Sequence, residues 1–167
     1  DMADSFMKQS YTQWEACLYV GASNQETLDM LHRLEAMDDR FIIQYGSENL
    51  GIAENTNKAL SMAHGEYIAL CDHDDTYTPD ALYYFRERIE QTGAELLYSD
   101  EDKIDAQGRR HYDPHFKPDF SPDLLRERNY ICHLLVVKTT LMKDIGGLRN
   151  GFEGSQDHDL ILRACEQ

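Results

Sequence analysis

Three carboxylates fall within four residues at Asp72-His73-Asp74-Asp75, directly after the apolar run Tyr67-Ile68-Ala69-Leu70-Cys71. Carboxylates this close repel one another, and a hard divalent cation with oxygen ligands, itself holding phosphate, relieves that repulsion. A solvated acidic turn is the plainer alternative, and position decides between the two. The apolar run reads as a strand buried on both faces, and Thr78-Pro79 as the cap and first turn of a helix. Ligands of open α/β sheets bind just beyond the carboxyl ends of strands, which is where these acids stand. Two more acidic groups lie at element ends: Asp100-Glu101-Asp102, and Asp157 with Asp159 after Ser155. The first reads equally as a solvated turn or as a sugar or acceptor contact. Asp157, taken alone, reads as a helix-start acid that complements the macrodipole beside a Ser155 cap.

The elements that must position these groups follow from patterning. Residues 1–13 are polar and Met-rich, without a clear cap, and read as the tail of a helix. Trp14 to Val20 is a predicted strand, Gly21 to Asn24 a turn, and Asn24 or Ser23 caps a helix to about Met37. Phe41 to Tyr45 is the next strand. Asn49-Leu50-Gly51 turns the chain into a helix to about His64, with Ile52, Thr56, Ala59, Leu60 and Ala63 on its apolar face. After the central strand, a helix from Pro79 to about Gln91 turns Leu82, Phe85 and Ile89 inward, and Gly93 stops it. Ala94 to Ser99 is another strand. Strands alternating with helices predict an α/β fold, a mainly parallel sheet with helices on both faces.

Beyond Asp102 the alternation breaks. Asp105 to Gly108 is a turn, within a hairpin or an excursion, and His111 to Pro122 an irregular ligand-facing loop. Tyr130 to Val137 is strand-like, which makes His133 a satisfied core residue. Leu141 to Ile145 is a short helix stopped by Gly146-Gly147, and Ser155 caps a last helix through Leu160, Ile161 and Leu162.

Composition narrows the partners. The chain of 167 residues carries 31 acids against 16 Lys plus Arg, a net charge of −15. Such a field opposes nucleic acid and anionic lipid, and an anionic substrate then needs a metal or local cations. The four cysteines (Cys17, Cys71, Cys132, Cys165) are far apart, without zinc spacing, and read as reduced thiols. With no signal peptide and no apolar stretch of membrane-spanning length, the expected setting is cytoplasmic, at the inner face of the membrane if parts outside this chain carry it there.

The ordered string Asn49-x-Gly51, Asn57-x-Ala59-Leu60, Gly65 to Asp75 and Pro79-x-Ala81-Leu82 resembles the inverting family 2 glycosyltransferases of GT-A fold. So do Tyr98 to Ile104, Phe116-Lys117-Pro118-Asp119 and Gly151 to Leu160; the likeness spans roughly residues 10–165. It implies one GT-A-like domain over 1–167, with a nucleotide-binding part over about 14–102 and an acceptor-side part over about 103–167. The implied reaction moves a sugar from a nucleoside diphosphate donor, a UDP-sugar favoured, to a hydroxyl of a saccharide or lipid-linked acceptor. Surface polysaccharide or glycoconjugate synthesis in a bacterium is the implied process. The resemblance assigns Asp72 to the ribose or nucleotide, Asp74 and Asp75 to Mg²⁺ or Mn²⁺, and Asp157 to the catalytic base. Asn49, Gly51, Asp100 and Glu101 are the implied nucleotide or donor contacts, and Lys117, in the loop with Phe116 and Pro118, reads as a phosphate contact to the donor or equally as a surface charge.

Two departures from the family pattern stand out. Nothing like its opening apolar strand precedes Trp14, so the chain is expected to begin inside the first helix, as a truncated domain; a sheet edge left open in that way invites pairing between chains, a homodimer. The acidic pair that usually reads the base stands here as Val20-Gly21-Ala22-Ser23. Two alternatives follow: a degenerate module kept for binding, or a phosphotransferase of haloacid dehalogenase type. In the latter Asp72 is the nucleophile and Asp74 the acid/base of Asp72-x-Asp74-x-Thr76.

Overall fold

The computed structural model describes residues 2–167; Asp1, the start of the expected helix tail, lies outside the described residues. Helix α1 (Met2–Met7) leads to strand β1 (Ala16–Val20), helix α2 (Gln25–Met37) and strand β2 (Phe41–Tyr45). Of the two residues expected to cap α2, Asn24 does so: its side-chain oxygen accepts the Thr27 amide at 2.9 Å. β1 and β2 pair in parallel, as a strand–helix–strand crossover requires.

Helix α3 (Ile52–Met62) and strand β3 (Tyr67–Leu70) follow, then α4 (Ala81–Thr92) and β4 (Leu96–Tyr98). The buried face of α3 is set one residue from expectation. Ala53 is 4% exposed and Ile52 57%. Gly51, at φ +87°, aims the helix that way. Helix α4 ends as its sequence requires, with Gly93 in the left-handed region and its amide on the Ile89 carbonyl at 2.8 Å. At the other end the cap comes from far away. Asp80 makes no side-chain cap bond; buried Gln9 accepts the Leu82 amide at 3.0 Å and donates to the Thr78 carbonyl at 2.7 Å. The segment after α1 thus braces the far end of the loop that carries the three carboxylates.

Strand β5 (Glu101–Ile104) and strand β6 (His111–His115) form a hairpin around Asp105 to Gly108. This corrects His111 to His115 from loop to strand. Pro114 falls at the register shift between the Glu101–His115 and Lys103–Tyr112 pairs, an irregularity of the ladder of the kind that accommodates proline. Helix α5 (Pro122–Glu127) precedes strand β7 (Leu135–Lys138), then come α6 (Thr139–Asp144) and α7 (Gln156–Ala164).

β7 inserts between β3 and β4, antiparallel to both, so that β3 and β4 run the same way. Its residues Leu135, Val136 and Val137 are 1–3% exposed, which accounts for the unbroken apolar run. The core centres on β7, Leu125, Tyr130, Met142, and Leu160 and Ile161 of α7, the last two fully enclosed. Each such side chain contributes roughly 1.5–3 kcal/mol on burial. Asn57 of α3 clasps the chain after α6, donating to the Leu148 carbonyl at 2.8 Å and accepting its amide at 2.9 Å. Gly147, at φ +68°, is needed there, since a Cβ would stand 2.5 Å from the Asn57 side-chain oxygen. Among the described residues β1 and β3 are not paired with each other. A cavity of about 1120 Å³ opens between them, lined by Cys17, Leu18, Ile68 and Leu70, with Leu60 and Phe85 from the flanking helices.

Candidate active site at the carboxyl ends of β3 and β4

The chain leaves β3 into the acidic turn, where the Asp75 amide bonds the Asp72 carbonyl at 3.4 Å. Asp72, Asp75 and His133 bring ligand atoms within 4.8 Å of one another, with His133 Nε2 3.5 Å from Asp72 Oδ2. Two carboxylates and an imidazole at this spacing fit a divalent cation. Asp74 is exposed and lies outside this group, while Asp72, exposed as well, lies within it. Burial and the charges of Asp72, Asp74 and Glu101 push the Asp75 carboxyl above its ordinary value, against the opposite pull of His133. A cation bound there would reverse that balance.

His133 was expected in the core, and the structure corrects this. Its side chain is 39% exposed, because the apolar run does not form one strand. Cys132 takes φ +40°, and the Asn129 side chain accepts the Ile131 and Cys132 amides at 3.2 and 3.3 Å. Residues 129–134 therefore form a turn that delivers His133 to Asp72 before β7 begins. The signal lay in the sequence: a polar ring inside an apolar stretch, preceded by the turn-former Asn129.

Asp157 opens α7. Ser155 holds the N-cap position but makes no side-chain cap bond. Burial first, then the charge of Asp72, raise the Asp157 carboxyl above its ordinary value, while His133 pulls it down. Asp157 thus shares one electrostatic environment with Asp72 and His133, although 85 residues of sequence separate it from Asp72.

The remaining predicted site residues divide. Asn49 and Gly51 form the exposed turn into α3, where Asn49 Oδ1 accepts the Gly51 amide at 3.1 Å and Asn55 Nδ2 at 2.8 Å. Gly21 lies against that turn; a Cβ there would meet the Glu48 carbonyl at 2.7 Å and Asn49 Cα at 2.8 Å. Close packing of the backbone therefore requires glycine at this position. Asp100 accepts the Lys117 amide at 2.8 Å. Lys117 itself is corrected as a donor contact. Its side chain is 1% exposed, and its three N–H groups are taken by Glu101 Oε2 at 3.2 Å, the Ile131 carbonyl at 2.5 Å and the His133 carbonyl. Glu101 is likewise turned inward. Burial alone would raise its carboxyl, but bonds from His115, Lys117 and the His133 amide hold it below its ordinary value.

Asp159, two residues beyond Asp157, does different work. It is buried between Arg149 and Arg163, the latter at 2.9 Å and also bonded to the Ile145 and Gly147 carbonyls at 2.5 and 2.7 Å. Losing one partner of a buried pair costs roughly 3–5 kcal/mol. Arg149 is half in solvent, so Asp159→Ala should cost about 2 kcal/mol, or about 5 °C in Tm. The bonds to Arg149 and Arg163 lower the Asp159 pKa. Its stabilisation is present above the ordinary carboxylate range and is lost as pH falls through the depressed value, so wild type and variant converge in thermal melts at acid pH.

This arrangement is that of a GT-A fold, with acids gathered at the carboxyl ends of the strands. The description "Glycosyl transferase family 2" matches residues 2–144, and the chain belongs to that family. Membership sets aside the phosphotransferase alternative for Asp72 and Asp74. The chain is 41% identical over 169 residues to the uncharacterized protein y4gI of Sinorhizobium fredii, covering all of this chain and 18% of that protein. It is 39% identical over 164 residues to the O-antigen biosynthesis protein RfbC of Myxococcus xanthus, covering 97% of this chain and 13% of that one. The chain thus spans less than a fifth of either relative. Among solved structures, TarS 1–349 of S. aureus aligns with a TM-score of 0.73 at 20% identity, covering 98% of this chain and 50% of that one. The mannosyltransferase PcManGT from Pyrobaculum calidifontis, in complex with GDP-Man and Mn²⁺, aligns with a TM-score of 0.67 at 19% identity, covering 96% and 46%. Among the described residues no helix is long and apolar enough to cross a membrane.

Proposed function

We propose that this chain transfers a sugar from a nucleoside diphosphate donor to a hydroxyl acceptor with inversion, in the synthesis of a surface polysaccharide. The observation that carries this reading is the group that Asp72, Asp75 and His133 form beyond the end of β3, with Asp157 near enough to feel the charges of Asp72 and His133. Family membership and the O-antigen relative support the reaction and the process, and the GDP-Man and Mn²⁺ complex of a fold neighbour supports the donor and cation classes.

Asp72, Asp75 and His133 would hold Mg²⁺ or Mn²⁺. When bound, the ion supplies positive charge that offsets the charge growing on the departing diphosphate. The Asp157 carboxylate accepts the proton of the acceptor hydroxyl as that oxygen attacks the anomeric carbon. The new C–O bond forms as the bond from the anomeric carbon to the diphosphate oxygen breaks, and the nucleoside diphosphate leaves with the electron pair. A single in-line displacement inverts the anomeric centre. Asn49 and Gly51, at the exposed turn beside Gly21, are the proposed nucleotide contacts, with Asp100 on the opposite side of the acid cluster in sequence. A UDP-sugar is the favoured donor.

The test is turnover of UDP-, GDP- and dTDP-sugars with Mn²⁺, read as nucleoside diphosphate release, with the product anomer assigned by NMR. Release with inversion supports the reading; a retained anomeric configuration, or no release from any donor in the presence of saccharide acceptors, contradicts it.

A further inference from the structure

Lys117 is the one buried ammonium described at this end of the fold, and it is not free to meet a substrate. Burying a lysine costs several kcal/mol unless the charge is paired and every N–H is bonded. Both conditions hold: one carboxylate oxygen of Glu101 and two main-chain carbonyls, Ile131 and His133, take all three protons. The same Glu101 Oε2 accepts the His133 amide at 3.3 Å, and Glu101 Oε1 lies 3.2 Å from His115 Nδ1. Ser99 closes the other side, its hydroxyl accepting the Leu134 amide at 3.2 Å. His133 is therefore held at both its N–H and its carbonyl by one ion pair, of buried Lys117 and half-buried Glu101, while its ring reaches Asp72.

We propose that the Lys117–Glu101 pair is a positioning device that fixes the 129–134 turn so that the His133 ring is aimed, before any ligand arrives, at the cation site it shares with Asp72 and Asp75. The proposal rests on the reading of those three residues as a cation site. Without Lys117, two carbonyls lose their donor and Glu101 its counter-charge, and the turn is left with its bonds to Asn129 and, at Leu134, to Ser99. The turn relaxes, and the ring no longer spends its time within ligand distance of Asp72. Lys117 acts through His133 and touches neither substrate nor ion.

The measurement is Mn²⁺ affinity, read from the free-ion EPR signal, in a cycle of wild type, Lys117→Met, His133→Ala and the double variant. Residues that orient a ligand typically contribute 10–100-fold to metal affinity. Lys117→Met should therefore weaken Mn²⁺ by about tenfold or more in wild type and less than about twofold in the His133→Ala background. Equal losses in both backgrounds would show general loosening and overturn the proposal, as would an unchanged affinity in Lys117→Met. If His133→Ala alone leaves Mn²⁺ binding intact, the cation-site reading fails and the proposal with it, which distinguishes the two failures. Should Lys117→Met not fold, the near-isosteric Glu101→Gln carries the same cycle with the same expectations.

Discussion

Asp157→Asn should abolish sugar transfer while leaving the protein folded and able to bind Mn²⁺ and nucleotide. Removal of a positioned general base costs about 10²- to 10⁴-fold in rate, so kcat should fall by about that factor with donor KM little changed. Asn keeps the shape of Asp157 and removes only the carboxylate. The expected gain in stability follows from the raised pKa of Asp157, caused first by burial and then by Asp72. Between the ordinary and the raised value the folded state binds more protons than the unfolded one. Stability is thus full below the ordinary carboxylate value and declines as pH rises through the raised one. At neutral pH the Asp157 charge destabilises the fold, and the Asn variant should melt at the same or a higher temperature. The same shift places the acid limb of the rate profile above the ordinary carboxylate range. Thermal melts and a pH–rate profile check both; a variant that melts well below wild type would assign Asp157 a structural role instead.

The second large effect is expected at Asp75. It is the less exposed of the two carboxylates in the Asp72–Asp75–His133 group, and its neighbours already disfavour its charge. Asp75→Ala removes one of three protein ligands, so Mn²⁺ affinity should fall by 100-fold or more, as a rough order of magnitude beyond that of losing an orienting neighbour. Asp74→Ala, outside the group, should change it by less than about threefold. Titration of Mn²⁺ into both variants separates them. Equal losses would return Asp74 to the role that the sequence alone implied for it. The Asp75 variant should also be the more stable at neutral pH without metal, because it relieves the repulsion among Asp72, Asp74 and Glu101.

What sequence could and could not reveal divides along the range of the interactions. The alternation of strands and helices up to Ser99, the Asn24 cap, the Gly93 stop and the Asp105–Gly108 turn depend on neighbours in the chain, and all appear where patterning put them. The acidic turn after β3 was legible for the same reason: an abrupt end to an apolar run. The third member of the metal-capable group left only a faint trace, the turn-former Asn129 ahead of a polar ring. His133 sits in an apolar run whose interruption at Cys132 is a backbone matter, and its ring meets a partner 61 residues away in sequence. Lys117 beside Phe116 and Pro118 resembled a phosphate contact, and only the fold shows that Glu101 and two carbonyls exhaust its donors. The place of β7 between β3 and β4 was hidden as well, since strand pairing over such distances leaves no local periodicity.

The central claim is that the ends of β3 and β4 form a nucleoside diphosphate site that works through a divalent cation. Isothermal titration of UDP, GDP and dTDP, each with Mn²⁺ and with EDTA in its place, tests this most directly. Mn²⁺-dependent binding of at least one nucleotide, with UDP favoured, is the predicted result. Binding that is equally strong in EDTA, or the failure of all three nucleotides to bind in the presence of Mn²⁺, would contradict it.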